Sequence, residues 1–441
     1  MITVAKIPLY PPNEIPKTLL NPRVRGGGAV VCFNLGFNSK PKKKEGFFGL
    51  IGLDYEIDGM ELWRKLSRSC IPGSPKKGQK VEVESDNGGE DFFDAATAEA
   101  KVQPQHLVVM VNGLAGSTAD WTYAAEQFVK RLPDKVIVHR SERNTSKLTF
   151  DGVDLMGERL AEEVVNVVKH WPGLHKISFV AHSLGGLIAR YAIGRLYELS
   201  TEKETANQTD SSGGEGNDSG EYLEKHHEAK IAGLEPMNFI TLATPHLGSI
   251  GHKQLPLLCG LPFLEKSAPQ TAHWIAGRSG KHLFLTDDDS GKPPLLLRMV
   301  NDSEDLKFMS ALRSFKRRVA YANANYDHIV GWRTSSIRRQ SELPKSKLLV
   351  RDEKYPHIIH VDEGKAEGNS SKTLSDVKAE MIDFEEEMIR GLSQVPWERI
   401  DVSFQKSKQR YVAHNTIQVN RYWMNSDGAD VVEHVIDNFI V

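Results

Sequence analysis

At 441 residues with 39% hydrophobic side chains, the chain is long enough to bury a sizeable core, in one large domain or roughly two to three average ones. Lysine and arginine number 56 against 58 aspartate and glutamate, a formal charge of -2, so no long-range field draws nucleic acid and no nucleic-acid partner is expected. The three cysteines, Cys32, Cys70 and Cys259, are too few and too far apart for a disulfide framework or a Cys-rich zinc site, which points to a reducing compartment.

No run reaches the roughly 18 apolar residues that a spanning helix needs, and the start of the chain lacks the charge, apolar centre and cleavage site of a secretory signal. An intracellular, cytoplasmic protein is the expectation. The first 44 residues are basic with Glu14 as their one acid, which keeps a plastid transit peptide open, although Ser39 is their only serine. Lys40-Pro41-Lys42-Lys43-Lys44 abuts the apolar Phe47-Phe48-Gly49-Leu50-Ile51-Gly52-Leu53. Such a pair can rest on an anionic membrane or lipid-droplet surface; a solvated turn feeding a buried element explains it equally well.

Residues from about 74 to 100 have little periodic apolar content and read as a linker, so 1–100 forms an N-terminal extension and 101–441 the folded domain. His106-Leu107-Val108-Val109-Met110-Val111, Val136-Ile137-Val138 and Ile177-Ser178-Phe179-Val180-Ala181 are continuous apolar runs of strand length, the pattern of parallel strands buried on both faces. Between the second and third, Gly157 to His170 carries Leu160, Val164, Val167 and Val168 at helical spacing. The stretch from about 200 to 230 is acidic and Gly/Ser-rich and predicts a disordered insertion. Strands follow at Met237–Leu242, Arg318–Ala322 and Ile400–Phe404, the last two separated by a long helix carrying Val377, Met381, Phe384 and Met388. Alternating strands and helices make an α/β fold with a mostly parallel central sheet and helices on both faces.

The chemistry falls at the ends of these strands. Strand 177–181 runs into Ala181-His182-Ser183-Leu184-Gly185-Gly186 and then into a helix, the sharp strand-to-helix turn that lifts a serine hydroxyl above a sheet. Ala181 stands where that turn pattern has a glycine, a small-for-small change. Acyl transfer also needs preorganised N–H groups facing the developing oxyanion. Leu184 supplies one, and the glycine loop Asn112-Gly113-Leu114-Ala115-Gly116 after the first strand supplies the other through Leu114.

The acid and base are expected in the order Ser, Asp, His. Asp327, in Asn325-Tyr326-Asp327-His328 after strand 318–322, is the preferred acid over Asp287, Asp288 and Asp289, which lie in a polar segment with no strand ahead of them and read as a solvated loop. His414, in the loop after strand 400–404, is the preferred base, with His434 as runner-up in a helix-like stretch from Ala429 to Phe439. His328 reads as a neighbour that tunes or packs, and His182 as pointing back under the turn.

Together Val111-Asn112-Gly113, Phe150-Asp151-Gly152-Val153-Asp154, Ala181-His182-Ser183-Leu184-Gly185-Gly186 and Thr241-Leu242-Ala243-Thr244-Pro245-His246-Leu247-Gly248 resemble the DUF676 family of serine esterases and lipase-like proteins, over roughly residues 103 to 340. Tyr326-Asp327-His328 and Gly331-Trp332-Arg333-Thr334-Ser335 resemble its plant members in particular. The resemblance implies the α/β-hydrolase fold, hydrolysis of lipid or other carboxylic esters, and Ser183, Asp327 and His414 as the triad, a mechanism that needs no metal or cofactor. An acyltransferase would use the same triad, and a non-catalytic binding protein could use the same scaffold. Leu255-Pro256-Leu257-Leu258-Cys259-Gly260-Leu261-Pro262-Phe263-Leu264, within a stretch of about 249–280, suits a lid or acyl-binding wall and equally a packed core loop.

Overall fold

The computed structural model describes residues 104–200, 228–249, 276–288, 291–345, 350–364 and 384–441, and the backbone of the pair Phe92–Phe93. The basic and apolar runs near the N-terminus, the three cysteines, the body of the acidic insertion, Leu255–Leu264, Val377 and Met381 lie outside the described residues.

In chain order the main elements are β1 (Phe92–Phe93), β2 (His106–Val111), α1 (Thr122–Arg131), β3 (Val136–Arg140), α2 (Val153–His170), β4 (Lys176–His182) and α3 (Leu184–Leu196). Then come β5 (Tyr197–Ser200), β6 (Glu228–Ile231), β7 (Glu235–Leu242), α4 (Leu295–Arg298), α5 (Phe308–Ser314), β8 (Arg317–Asn323) and α6 (Trp332–Ser336). β9 (Ile358–Glu363), α7 (Phe384–Leu392), β10 (Glu398–Val402), α8 (Ala413–Thr416), α9 (Tyr422–Asn425) and α10 (Ala429–Asp437) complete them.

Eight strands form one sheet in the order β1-β3-β2-β4-β7-β8-β10-β9, parallel throughout except at its two edges, where β1 and β9 run antiparallel to β3 and β10. This is the α/β-hydrolase fold. Successive residues of β2 serve opposite faces, as a strand's twofold side-chain period requires. Leu107, Val109 and Val111 join the core under α2 and α3, whereas Val108 and Met110 join the core under α1 and α10. Because both faces are covered, the central strands read as uninterrupted apolar runs.

The structure departs from the sequence expectations in several places. Helix α2 begins at Val153, a turn before Gly157, because Val153 and Met156 extend its apolar face into the core. A Cβ at Gly157 would meet the Tyr191 ring at 2.3 Å, so the glycine lets α2 and α3 cross closely. Strand β10 is Glu398–Val402, not 400–404, its register set by parallel pairing with Val319 to Asn323 of β8. Strand β1 lies within the predicted linker, and β9 adds an edge strand that the apolar pattern does not predict. β5 and β6 pair antiparallel, so the predicted 200–230 insertion leaves and rejoins the fold through adjacent strands. At the far end of the predicted lid, residues 276–283 are helical and anchored: Ser279 Oγ accepts the Gly152 N–H at 3.1 Å and His282 Nδ1 the Val153 N–H at 2.9 Å. Among the described residues no helix is long and apolar enough to cross a membrane.

His106, buried in β2, shares a 2.8 Å hydrogen bond with Ser178 Oγ of β4. Burial, helped by the charge of Lys176, pushes its pKa down to about 3 from an ordinary 6.5. Between those values the unfolded chain binds more protons than the folded one, so stability falls as pH drops below the ordinary value. His106 should withdraw about 1.4 kcal/mol per pH unit in that window. Urea unfolding followed from roughly pH 6 down to roughly pH 4.5 should therefore show a shallower loss in His106→Gln, which keeps a partner for Ser178 but cannot titrate; parallel slopes in the two proteins would contradict the assignment.

Candidate active site

β4 ends at His182 and α3 begins at Leu184, leaving Ser183 alone at the turn with φ 53° and ψ -130°. A residue with a Cβ rarely adopts this conformation, and it persists only where the surroundings hold it. The Ser183 N–H donates to Leu242 O at 2.9 Å and its carbonyl accepts the Gly186 N–H at 3.1 Å. The neighbours have to be small: a Cβ at Gly185 would lie 2.4 Å from Val111 O, and one at Gly113 would lie 2.8 Å from Ser183 Cβ. Sequence pattern thus translates into close backbone approach at the end of β2.

The expected acid and base, Asp327 and His414, follow the adjacent strands β8 and β10. Asp327 lies in the loop after β8, four residues beyond Asn323, with its side chain buried. Its Oδ1 accepts the N–H groups of Ile329 (3.0 Å) and Val330 (2.8 Å), and its Oδ2 accepts Asn323 Nδ2 at 2.9 Å and shares a 3.0 Å bond with His414 Nδ1. Burial alone would raise the carboxyl pKa, but the charge and hydrogen bond of His414, with the Val330 and Asn323 donors, outweigh it and hold Asp327 below the usual carboxylate value. The other ring nitrogen, His414 Nε2, lies 3.0 Å from Ser183 Oγ. Ser183, His414 and Asp327 are therefore joined in one hydrogen-bonded chain. His414 sits on the single turn α8 rather than in an open loop, which orients its ring through the helix backbone.

The glycine loop after β2 is braced on the adjoining 144–149 segment. Asn112 Nδ2 donates to Asn144 O (2.9 Å), the Ala115 N–H to Thr149 Oγ1 (2.7 Å), and the Gly116 carbonyl accepts the Ser146 N–H (2.9 Å). The Leu114 and Leu184 N–H groups have no acceptor among the described residues.

The alternative residues lie elsewhere. His434 is bonded to Tyr321 Oη at 2.8 Å in the core beside α10. His328, next to Asp327, is exposed. Asp288 is exposed, but Asp287 is not a solvated loop residue: its Oδ2 accepts the Leu295 N–H at 2.8 Å at the start of α4. Asp289 lies outside the described residues.

Two positioning residues become visible only here. Asn323 donates both to Asp327 Oδ2 and, at 3.3 Å, to Ala413 O, bridging the Asp327 loop to the helix that carries His414. His182 lies against His414, ring centroids 4.6 Å apart, with Nε2 2.7 Å from the His414 carbonyl. Burial, then the His414 charge, lower the His182 pKa to about 3, so it is neutral at ordinary pH and its Nε2–H donates to that carbonyl. His182→Ala should let α8 drift and lower kcat roughly 10- to 100-fold with little change in KM, while His182→Gln, which keeps a donor, should recover much of it. Equal kcat in wild type and His182→Ala would remove this role.

The chain is similar to several known proteins. A curated protein of Saccharomyces cerevisiae, "Putative lipase ROG1", is 33% identical over 238 residues, 53% of this chain and 28% of the yeast protein. "Putative lipase C4A8.10" of Schizosaccharomyces pombe is 28% identical over 246 residues, 54% of this chain and 26% of that protein. The chain thus spans about a quarter to a third of the length of these curated relatives. Among solved structures, the mature lipase BlEst2 of Bacillus licheniformis aligns with a TM-score of 0.31 and 16% identity, covering 55% of this chain and 74% of the lipase. The profile of one family matches residues 101–337, which include the Ser183 turn, the glycine loop and Asp327. With more than half of its length matched, the chain belongs to the family described as "Putative serine esterase (DUF676)".

Proposed function

We propose that the chain is a serine hydrolase of carboxylic esters acting through Ser183, His414 and Asp327, and that lipid acyl esters are its substrate class. The observation that carries the reading is the continuous hydrogen-bonded chain from Asp327 through His414 to Ser183, at 3.0 Å in each step, with Ser183 in a strained turn. The names of the yeast relatives support lipids as the substrate class.

In this mechanism His414 Nε2 takes the Ser183 proton as Oγ attacks the ester carbonyl. Asp327, kept ionised by its donors, fixes the His414 tautomer and stabilises the imidazolium. The Leu114 and Leu184 N–H groups receive the oxyanion, and each such donor is worth about 3 kcal/mol in the transition state. His414 then protonates the departing alkoxide, and a water, deprotonated by the same ring, releases the acid and restores Ser183.

The test is active-site labelling followed by product analysis. A fluorophosphonate should modify the protein once, on the peptide bearing Ser183, and the unmodified protein should release free fatty acid from acyl esters. Labelling at another residue, or neither labelling nor turnover, would overturn the proposal.

A further inference from the structure

Between β10 and α10 the chain crosses the site's rim as residues 403–428, carrying His414 with it. Internal bonds make this stretch one surface. Asn425 Nδ2 donates to Thr416 Oγ1 at 3.0 Å, the Asn420 N–H to Asn415 O at 3.1 Å, and Gln409 Nε2 to Ser426 Oγ at 3.1 Å. Its inner side, with Ile417 and Val419, joins the core.

The outer side is unusual for a surface in water. Tyr411 is 65% exposed, Tyr422 57% and Trp423 67%. The Tyr411 ring meets Tyr326 of the Asp327 loop at 5.8 Å, and Tyr422 stacks on Tyr123 of α1 at 5.0 Å, so the aromatics reach from the Asp327 loop to α1. Lys406, Lys408, Arg410 and Arg421 stand among them, and no aspartate or glutamate occurs between Gln405 and Ser426. Lys406 and Lys408 are exposed and have no ion-pair partner among the described residues. The nearest acids are engaged or peripheral: Asp120 hydrogen-bonds Asn420 and faces Arg421, Asp427 Oδ2 accepts Ser407 Oγ, Glu433 pairs with Arg131, and Glu126 lies on the Tyr123 side.

Exposed tyrosine and tryptophan interleaved with basic side chains, of which Lys406 and Lys408 have no ion-pair partner among the described residues, match the chemistry of a headgroup layer, where amphipathic rings reside and basic side chains meet anionic lipid. We propose that this surface docks the protein on an anionic membrane and sets the mouth of the Ser183 site against the headgroup layer. Its bearing on catalysis rests on the ester-hydrolase reading; the docking itself does not. An acidic protein partner would satisfy the cations but leaves the exposed rings unexplained.

Flotation of the full chain with vesicles of phosphatidylcholine, alone or mixed with phosphatidylserine, tests this. Wild type should bind the mixed vesicles at least about tenfold more tightly, and added salt should weaken that binding. Tyr422→Ser with Trp423→Ser, and separately Lys406→Glu with Lys408→Glu, should each cost roughly tenfold in vesicle affinity while leaving hydrolysis of a soluble butyrate ester unchanged. Equal vesicle binding by wild type and both double variants would overturn the proposal. So would a wild type that ignores vesicles, and capture by polyglutamate alone would assign the patch to an acidic protein. Patch-dependent vesicle binding in a protein inert toward the soluble ester would support the docking surface and sink the ester-hydrolase reading alone.

Discussion

Ser183→Ala is expected to lower ester turnover by roughly 10⁴- to 10⁶-fold, with fluorophosphonate labelling lost. The oxygen removed is the one 3.0 Å from His414 Nε2, and among the described residues no other hydroxyl shares that nitrogen. Truncation does not disturb the turn, because its backbone bonds to Leu242 and Gly186 involve no side-chain atom of Ser183. His414→Ala should be about as damaging, and the double variant no worse than either single one, since the two side chains act as one unit. Steady-state kinetics on a soluble ester, with circular dichroism confirming the fold, measures this. A rate in Ser183→Ala within tenfold of wild type would mean that the nucleophile lies elsewhere.

Arg338→Met is expected to cost about 3–5 kcal/mol of stability, a large part of the roughly 5–15 kcal/mol that holds a domain folded. Asp401 of β10 is 0% exposed and is clasped by Arg338 NH1 at 2.8 and 2.9 Å, with Trp332 Nε1 donating at 2.6 Å. Burial raises the Asp401 pKa above its usual value even with Arg338 and Trp332 opposing the shift, so the carboxylate is costly where it sits. Removing the guanidinium strands that carboxyl group, and breaking one side of a buried pair is more damaging than replacing both. Arg338→Met combined with Asp401→Leu should therefore regain much of the loss. Urea midpoints of the three variants decide it, and a single-variant loss under about 1 kcal/mol would show the pair to be dispensable. The pair also ties the segment after Asp327 to the strand that leads to His414, so the unstable variant should lose activity at lower temperature than wild type.

Much of this arrangement is legible in the amino-acid sequence. The apolar run predicts β2 at its observed bounds because all six residues are buried between two helical layers, a condition a single sequence records directly. The same holds for the Ser183 turn, where Gly113 and Gly185 face backbone or side-chain atoms within 3 Å of any added Cβ. The order of serine, aspartate and histidine along the chain narrowed the acid and base to Asp327 and His414, which the fold brings into one hydrogen-bonded chain.

What escaped the sequence shares a cause. Edge strand β9 buries only Ile358 and Ile359 and contains His360, Asp362 and Glu363, so it lacks the apolar run that reveals a central strand. The roles of Asn323, His182 and Arg338 depend on partners 90, 232 and 63 residues away. Local periodicity reports how deeply a residue is buried and on which face. It carries no record of which distant polar group will share that burial, and that pairing was decided only when the strand ends of the sheet were brought side by side.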